Sequence, residues 1–134
     1  MSKSAIYTAN TSNQSVIANG VINPGAIIRR YGPNINLTNN AIQIDGAGYY
    51  KINVNATIIP TAVGTVGISV LKDDTAIPGA SAKVTTAATG DVANLCVSAV
   101  VREFCPCEDI SHLPFVLSGV ASNITNFAVT VDKM

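Results

Sequence analysis

Alternation of apolar and polar side chains runs through most of this sequence, and it predicts β-strands. The clearest run covers residues 48–58, where Tyr50, Ile52 and Val54 share one face while Lys51 lies on the other. Similar alternation, or a short apolar run bounded by turn residues, predicts further strands at residues 65–70, 75–77, 82–86, 92–104, 115–120 and 125–131.

The first third of the chain is more broken, with short predicted strands separated by turns. These strands are expected at residues 5–9, 15–22, 26–30, 35–37 and 41–45. Asn23-Pro24-Gly25 and Gly32-Pro33-Asn34 place flexible and φ-restricted residues at two of the reversals, and Pro78-Gly79 is expected to end a later strand. Short strands without helical periodicity predict an all-β chain, a two-sheet antiparallel sandwich of jelly-roll type, as one domain over residues 1–134.

The predicted strand at residues 92–104 is apolar on both faces for much of its length. Its two alternating sets are Leu95, Val97, Ala99 and Val101 on one face and Cys96, Ser98 and Val100 on the other. A strand of this kind is buried on two sides, either between two sheets or beneath a neighbouring subunit.

Composition supports the β assignment and narrows the partners. Val and Ile number fifteen each against five Leu, and β-branched side chains favour sheet over helix. Eight basic and eight acidic residues give no net charge, so a nucleic acid partner is not expected. No window has the apolar length of a membrane span, and the start Met1-Ser2-Lys3-Ser4 leads into no apolar signal segment. We therefore expect a protein that folds in the cytoplasm without membrane insertion.

Catalytic chemistry has few candidate residues. His112 is the only histidine, and it follows Asp109 and Ile110 in a stretch that reads as a loop, so a surface or loop-packing role is expected. The adjacent carboxylates Asp73 and Asp74 are typical of a hairpin turn. No phosphate-binding glycine loop occurs. The sequence predicts no catalytic residue, no cofactor and no enzyme activity.

Three cysteines cannot all pair within one chain, so at least one thiol stays free. Cys105-Pro106-Cys107, with His112 five residues later, falls short of a zinc motif because the two thiols are one residue apart. We expect a loop that holds two thiols, with an intersubunit disulfide or a metal site as the alternatives. Cys96 is expected to be a small buried residue within its apolar strand.

Three segments carry a resemblance to a known family. Gly48-Tyr49-Tyr50-Lys51-Ile52-Asn53-Val54 resembles the opening of a middle strand in the C1q/TNF-like jelly roll. The segments 67–79 and 123–131 are similar to a hairpin and the terminal strand of the C-terminal domains of BclA-type collagen-like exosporium proteins. Similar stand-alone domains occur on bacteriophage virions as decoration or fibre-head domains.

The resemblance implies a structural homotrimer that serves as a knob. It predicts a protein made in the host bacterial cytoplasm that decorates a virion surface, where the major capsid protein or another surface protein is its partner. A spore-surface protein is the alternative, and a ligand-binding or carbohydrate-binding module is the second alternative.

Two further expectations concern assembly. The apolar strands predict a threefold interface formed by the side chains of Tyr49, Tyr50, Leu95, Val97, Ala99, Val101 and Phe127. Residues 1–13 carry few apolar side chains, so they are expected to have little independent order and to form a candidate attachment segment.

Overall fold

The computed structural model describes residues 4–45, 47–73, 75–88, 91–103 and 111–134, which contain eleven β-strands. The strands are β1 (Ala5–Asn10), β2 (Gln14–Val16), β3 (Ala26–Tyr31), β4 (Ile35–Thr38), β5 (Ala41–Ile44), β6 (Gly48–Pro60), β7 (Gly64–Lys72), β8 (Thr75–Thr86), β9 (Ala93–Glu103), β10 (Ser111–Gly119) and β11 (Ser122–Lys133). None of the described residues is helical, and the prediction of an all-β chain is confirmed.

The strands form two sheets that pack face to face. The first sheet has the order β3-β1-β11-β6-β9, and β2 also pairs with β11. The second sheet has the order β4-β5-β10-β7-β8. All of these pairings are antiparallel. The predicted two-sheet antiparallel sandwich is therefore the observed architecture.

The core lies between the sheets and follows from the alternation along the long strands. In β6 the residues from Tyr50 to Ile58 point inward at every second position and are almost fully buried. Phe127 of the first sheet meets Phe115 of the second edge to face, with ring centroids 5.4 Å apart. An aromatic pair of this geometry contributes about 0.5–1.5 kcal/mol beyond its burial, and this one joins the two sheets.

The sandwich has two ends that differ in which chain segments they contain. At one end, here called the terminal end, Ser4 accepts a hydrogen bond from the backbone of Lys133, and Lys72 reaches the backbone of Arg102. At the other, here called the loop end, β6 finishes at Pro60 beside the start of β11. Both the first and the last described residues thus lie at the terminal end.

The N-terminal segment contains the strand predicted at residues 5–9. β1 lies between β3 and β11 inside the first sheet, and its Ile6 and Thr8 side chains are buried. The order of Ala5–Asn10 comes from its neighbours on both sides, which take up the backbone hydrogen bonds of this short strand.

Two predicted strand boundaries are also corrected. Pro78-Gly79 does not end a strand, since β8 continues through both residues; β8 is an edge strand, where the missing N–H of proline costs little. The strand predicted at residues 15–22 is limited to β2, because a turn at Asn19, whose φ is 64°, redirects the chain. Ile22 then donates from its backbone to Phe115.

Candidate interaction face

The side of the first sheet that points away from the core presents side chains from five strands; we call it the front face. Its members alternate with buried residues along each strand. They are Tyr49, Lys51, Asn53, Asn55 and Thr57 of β6; Asn94, Cys96, Ser98, Val100 and Arg102 of β9; Ala128, Thr130 and Asp132 of β11; Ala5, Tyr7 and Ala9 of β1; and Arg29 and Tyr31 of β3.

A ladder of side-chain hydrogen bonds crosses the front face between β6 and β9. Ser98 donates to Asn53 Oδ1 at 2.7 Å, and the thiol of Cys96 donates to Asn55 Oδ1 at 2.9 Å. The third rung runs from the Thr57 hydroxyl to Asn94 Oδ1 at 2.9 Å. Each rung joins residues that are directly opposite in the register. The β6–β9 edge of the face is therefore polar, uncharged and fixed in position by its own hydrogen bonds.

Aromatic side chains lie elsewhere on the front face. Three of the four tyrosines of the chain, Tyr7, Tyr31 and Tyr49, are exposed, and the register places all three on the front face. The Arg102 guanidinium lies 5.8 Å from the centre of the Tyr49 ring, and Arg29 is directly opposite Tyr7. Tyrosine and arginine are the side chains most enriched at protein interfaces.

A shallow cavity of about 200 Å³ opens beside Tyr7 and Tyr31. Arg29 and Thr130 complete its wall on the front face. Along the same face, Lys51 is directly opposite Asp132, so opposite charges face each other near the terminal end. The face thus combines an uncharged stretch along its β6–β9 edge with aromatic and charged side chains on its other strands and near the terminal end.

A buried polar cluster lies beneath the face at the terminal end. The Tyr50 hydroxyl donates to the backbone oxygen of Asp45 at 2.6 Å, and Asn34 donates to the Asp45 carboxylate at 3.2 Å. Burial, followed by the nearby charges of Asp45 and Glu103, raises the pKa of Tyr50 to about 12. Glu103 itself is 4% exposed. This cluster keeps the Tyr50 hydroxyl protonated, and it holds together the start of β6 and the loop before it.

The seven residues predicted for a threefold interface divide between the core and the surface. The buried ones in the core of the chain are Tyr50, Leu95, Val97, Val101 and Phe127. Ala99 is partly buried and packs on the same core. Tyr49 alone among the seven is exposed, and it lies on the front face. The interface remains a prediction, and the side chains open to another chain are the alternate residues of the same strands.

The cysteine expectations have different outcomes. Cys96 was expected to be buried, but it is exposed on the front face, because Leu95 and Val97 take the inward positions of β9. Cys105 and Cys107 lie outside the described residues. Among the residues that are described, no group of three or more His, Cys, Asp or Glu side chains could hold a metal ion.

His112 lies in a strand rather than in the expected loop. It belongs to β10, where it pairs with Gln43 of β5. Its backbone N–H donates to the Asp73 carboxylate at 3.0 Å, and the Asp73 backbone donates to the His112 oxygen at the same distance. Asp73 therefore lies in the turn between β7 and β8, as predicted, and ties that turn to β10.

Sequence reasoning missed most of the front face. Tyr7, Tyr31 and the residues of the side-chain ladder belong to no recognisable sequence motif. The only sequence feature that marks them is their position between the apolar residues of alternating strands. The pairing of β1 and β11, which brings Tyr7 beside Thr130, joins residues far apart in the chain. Local pattern alone does not reveal such a pairing.

Comparisons with known proteins identify the fold. No protein-family model and no curated protein sequence matches the chain. Among solved structures, Eiger TNF from S. frugiperda superposes with a TM-score of 0.69 at 10% identity, covering 98% of this chain and 91% of that one. Murine APRIL superposes with a TM-score of 0.66 at 9% identity, covering 98% and 99%.

A third similar structure is the PRD1 vertex protein P5. It has a TM-score of 0.66 and 18% identity, and the match covers 98% of this chain and 96% of P5. The part of the chain that the structure describes forms no helix long and apolar enough to cross a membrane. With two antiparallel sheets that superpose on TNF and APRIL over nearly their whole length, the chain has the C1q/TNF-like jelly-roll fold.

Proposed function

We propose that this chain is a non-enzymatic structural protein that assembles as a homotrimer and forms a knob on the surface of a virion. The observation that carries the proposal is the likeness to the PRD1 vertex protein P5 over almost the full length of both chains. The 18% identity to P5 is about twice the identity to the two TNF-like structures. The fold of this chain thus occurs in a protein of a particle vertex.

The front face supports the trimer part of the proposal. It holds the three exposed tyrosines, together with Arg29 and Arg102, beside a β6–β9 edge that is polar but uncharged. An uncharged edge is cheap to desolvate, since no ion has to leave water, and tyrosine supplies contact area at little cost in side-chain entropy. We place the contacts between protomers on this face, in agreement with the side-by-side packing that the family resemblance implies.

The residues available for chemistry support a structural role. The exposed cysteine donates to Asn55, and His112 and Asp73 serve the turn after β7. The terminal end is proposed as the side that attaches to the particle, since Ser4 lies there and residues 1–3 of the candidate attachment segment 1–13 precede it. A spore surface is the alternative location, on the resemblance to exosporium proteins.

Light scattering on two matched variants tests the trimer. Ser98 and Ser81 are both exposed serines on edge strands, but Ser98 lies on the front face and Ser81 on the outer side of the second sheet. We expect wild type and Ser81→Arg to have three times the mass of one chain, while Ser98→Arg loses the trimer. A wild-type monomer, or a Ser98→Arg variant that keeps the wild-type mass, contradicts the proposal.

Mass spectrometry of purified particles tests the location. We expect peptides of this chain in gradient-purified virions, and not in spore coats prepared from the same culture. Detection in spores alone would assign the protein to the spore surface, the alternative location, and would leave the proposed trimer unaffected. Recovery only in the soluble fraction contradicts a particle-surface role.

A further inference from the structure

A lysine, an asparagine and an aspartate contact one another in series at the terminal end. Lys133 Nζ donates to Asn34 Oδ1 at 3.4 Å. On the other side of the same amide, Asn34 Nδ2 donates to the Asp45 carboxylate at 3.2 Å. The three residues come from the end of β11, the loop between β3 and β4, and the position after β5. The amide of Asn34 therefore lies between an amine and a carboxylate.

Pairing within the first sheet directs the Lys133 side chain towards this amide. Lys133 is directly opposite Tyr50 in the register of β11 and β6, so it shares the inward face of that buried residue. Its backbone N–H donates to the Ser4 oxygen at 2.8 Å. Gly48 leaves room for the lysine stem, because a Cβ at this glycine would lie 3.0 Å from Lys133 Cε. The lysine is thus half-buried and positioned by the sheet.

The amide and the carboxylate are held in place by further hydrogen bonds. The Asp45 N–H donates to the Asn34 backbone oxygen at 2.9 Å, and the Asp45 backbone oxygen accepts from the Tyr50 hydroxyl at 2.6 Å. The Ser4 hydroxyl accepts from the Asn34 N–H at 3.2 Å and donates to Asn34 Oδ1 at 3.4 Å. Reacting groups that are already fixed side by side lose little further entropy when they join, which lowers the barrier to a reaction between them.

We propose that Lys133 and Asn34 form an isopeptide bond in the folded chain, with Asp45 as the proton carrier. Lys133 first releases one proton of its ammonium group to solvent, which exposes the lone pair of Nζ. Nζ then bonds to Cγ of Asn34 while the Cγ–Nδ2 bond breaks. Asp45 takes a second proton from Nζ and passes it to Nδ2, which leaves as ammonia. The product is a secondary amide, and the reaction consumes no oxidant or reductant.

Each step has a suitable group beside the reacting atoms. The Asp45 carboxylate contacts Nδ2, the nitrogen that must gain a proton before it can leave. The Ser4 hydroxyl donates to Oδ1, the oxygen that gains negative charge as Nζ adds to Cγ. Nζ already contacts Oδ1, and Cγ is the atom bonded to that oxygen. A small rotation of the Lys133 side chain therefore brings the amine to the carbon that it attacks.

The bond joins distant parts of the chain. It links the last residue of β11, in the first sheet, to the loop that leads into β4 of the second sheet. The covalent loop that it closes has about 100 residues, and a cross-link over such a length strongly restricts the unfolded chain. Because the bond lies at the terminal end, it reinforces the end that is proposed to attach to the particle.

The intact mass of the purified wild-type protein tests the bond. We expect a mass about 17 Da below that of the sequence, because one ammonia is lost. Trypsin should then leave residues 31–51 joined to residues 103–134, since an acylated Lys133 is not cleaved. Lys133→Arg keeps the positive charge without the amine and should have the full mass. Lys72→Arg, the same change at another lysine of this end, is the control and should still lose ammonia.

A second variant tests the proton carrier. Asp45→Asn keeps an oxygen that can accept from Asn34 but carries no proton between the two nitrogens. With a wild-type β-sheet spectrum by circular dichroism, this variant should cross-link at least about tenfold more slowly after synthesis. A variant that cross-links as fast as wild type overturns the role of Asp45.

Two results overturn the isopeptide bond itself. One is a wild-type protein that keeps its full mass after prolonged storage. The other is a loss of ammonia without joined tryptic fragments, which marks an asparagine that has closed a ring on its own backbone. Neither result depends on whether the chain is a trimer or where it is located, so the proposed function is tested separately.

Discussion

The two outer faces of the sandwich rest on one core but carry different side chains. The front face holds three exposed tyrosines and the rungs formed by Ser98 and Asn53. The outer face of the second sheet holds small hydroxyl residues, with Thr65 and Thr85 in contact at 3.0 Å, and Lys83. Described residues of that second face include no tyrosine. The comparison shows that similar strand geometry presents exposed tyrosines on one side and small hydroxyl side chains on the other.

The largest effects are expected in the shared core, and they should not distinguish the faces. Phe127→Ala beneath the front face and Phe115→Ala beneath the second sheet each remove one ring of the buried pair. We expect each to lower the free energy of unfolding by about 3–5 kcal/mol, measured by urea denaturation of dilute protein. A difference much larger than about 2 kcal/mol between the variants would show that the faces do not share one core.

The next effect should separate the faces. Tyr49→Ala removes an exposed ring that the Arg102 guanidinium contacts. We expect the midpoint of trimer dissociation to move to a concentration that is higher by about tenfold or more. Val116→Ala on the second sheet is the control and leaves dissociation unchanged. Analytical ultracentrifugation over a dilution series measures both. Equal shifts of the dissociation midpoint in the two variants would contradict the distinction between the faces.

A third effect concerns the buried hydroxyl beneath the front face. The pKa of Tyr50 is about 12 in the folded chain and about 10 in the unfolded chain. The unfolded chain therefore releases this proton first, and stability falls as pH rises from about 10 to about 12. Tyr50→Phe should lack this loss at alkaline pH, while at neutral pH it costs about 1 kcal/mol from the lost bond to Asp45. Urea midpoints across pH 8–11 that decline equally in both proteins would contradict the assignment.

Single rungs on either face should have the smallest effects. Asn55→Ala removes the acceptor of the Cys96 thiol, and Thr85→Ala removes the contact with Thr65. Each should cost about 0.5–1 kcal/mol in the stability of the isolated chain, measured by thermal unfolding. Similar small losses mean that the rungs order their faces without holding the fold together. A loss above about 2 kcal/mol at Asn55 alone would make the ladder part of the fold.

The sequence located the long strands but did not show which of their residues form the core and which the outer faces. Alternation located β6 and β9 and placed Tyr50 on the face opposite Lys51 and Val97 on the face opposite Ser98, because side chains alternate between the two faces of a strand. It could not separate the core from an interface, since both bury apolar side chains, and so buried residues were assigned to the contact between chains. Tyr7 shows the same limit: its place beside Thr130 depends on a pairing between the two ends of the chain.

The N-terminal strand β1 also depends on pairing with distant segments of the chain. Residues 1–13 have too few apolar residues for independent order, yet Ile6 of β1 is almost fully buried. Its order comes from β3 and β11, which pair with it on both sides. Removing Ala5–Asn10 would therefore disrupt the first sheet, so an attachment test on the N-terminus must be limited to the residues before Ser4.

The most direct test of the account is the accessibility of Cys96, the exposed thiol on the edge strand β9 of the front face. With Cys105 and Cys107 replaced by serine, alkylation of Cys96 should be several-fold slower in the assembled protein than in Tyr7→Arg, whose substitution lies three strands away on the same face. Ser81→Arg should label as slowly as the assembled protein. If the assembled protein and Tyr7→Arg label at the same rate, the front face is open to solvent, and the trimer does not form through it.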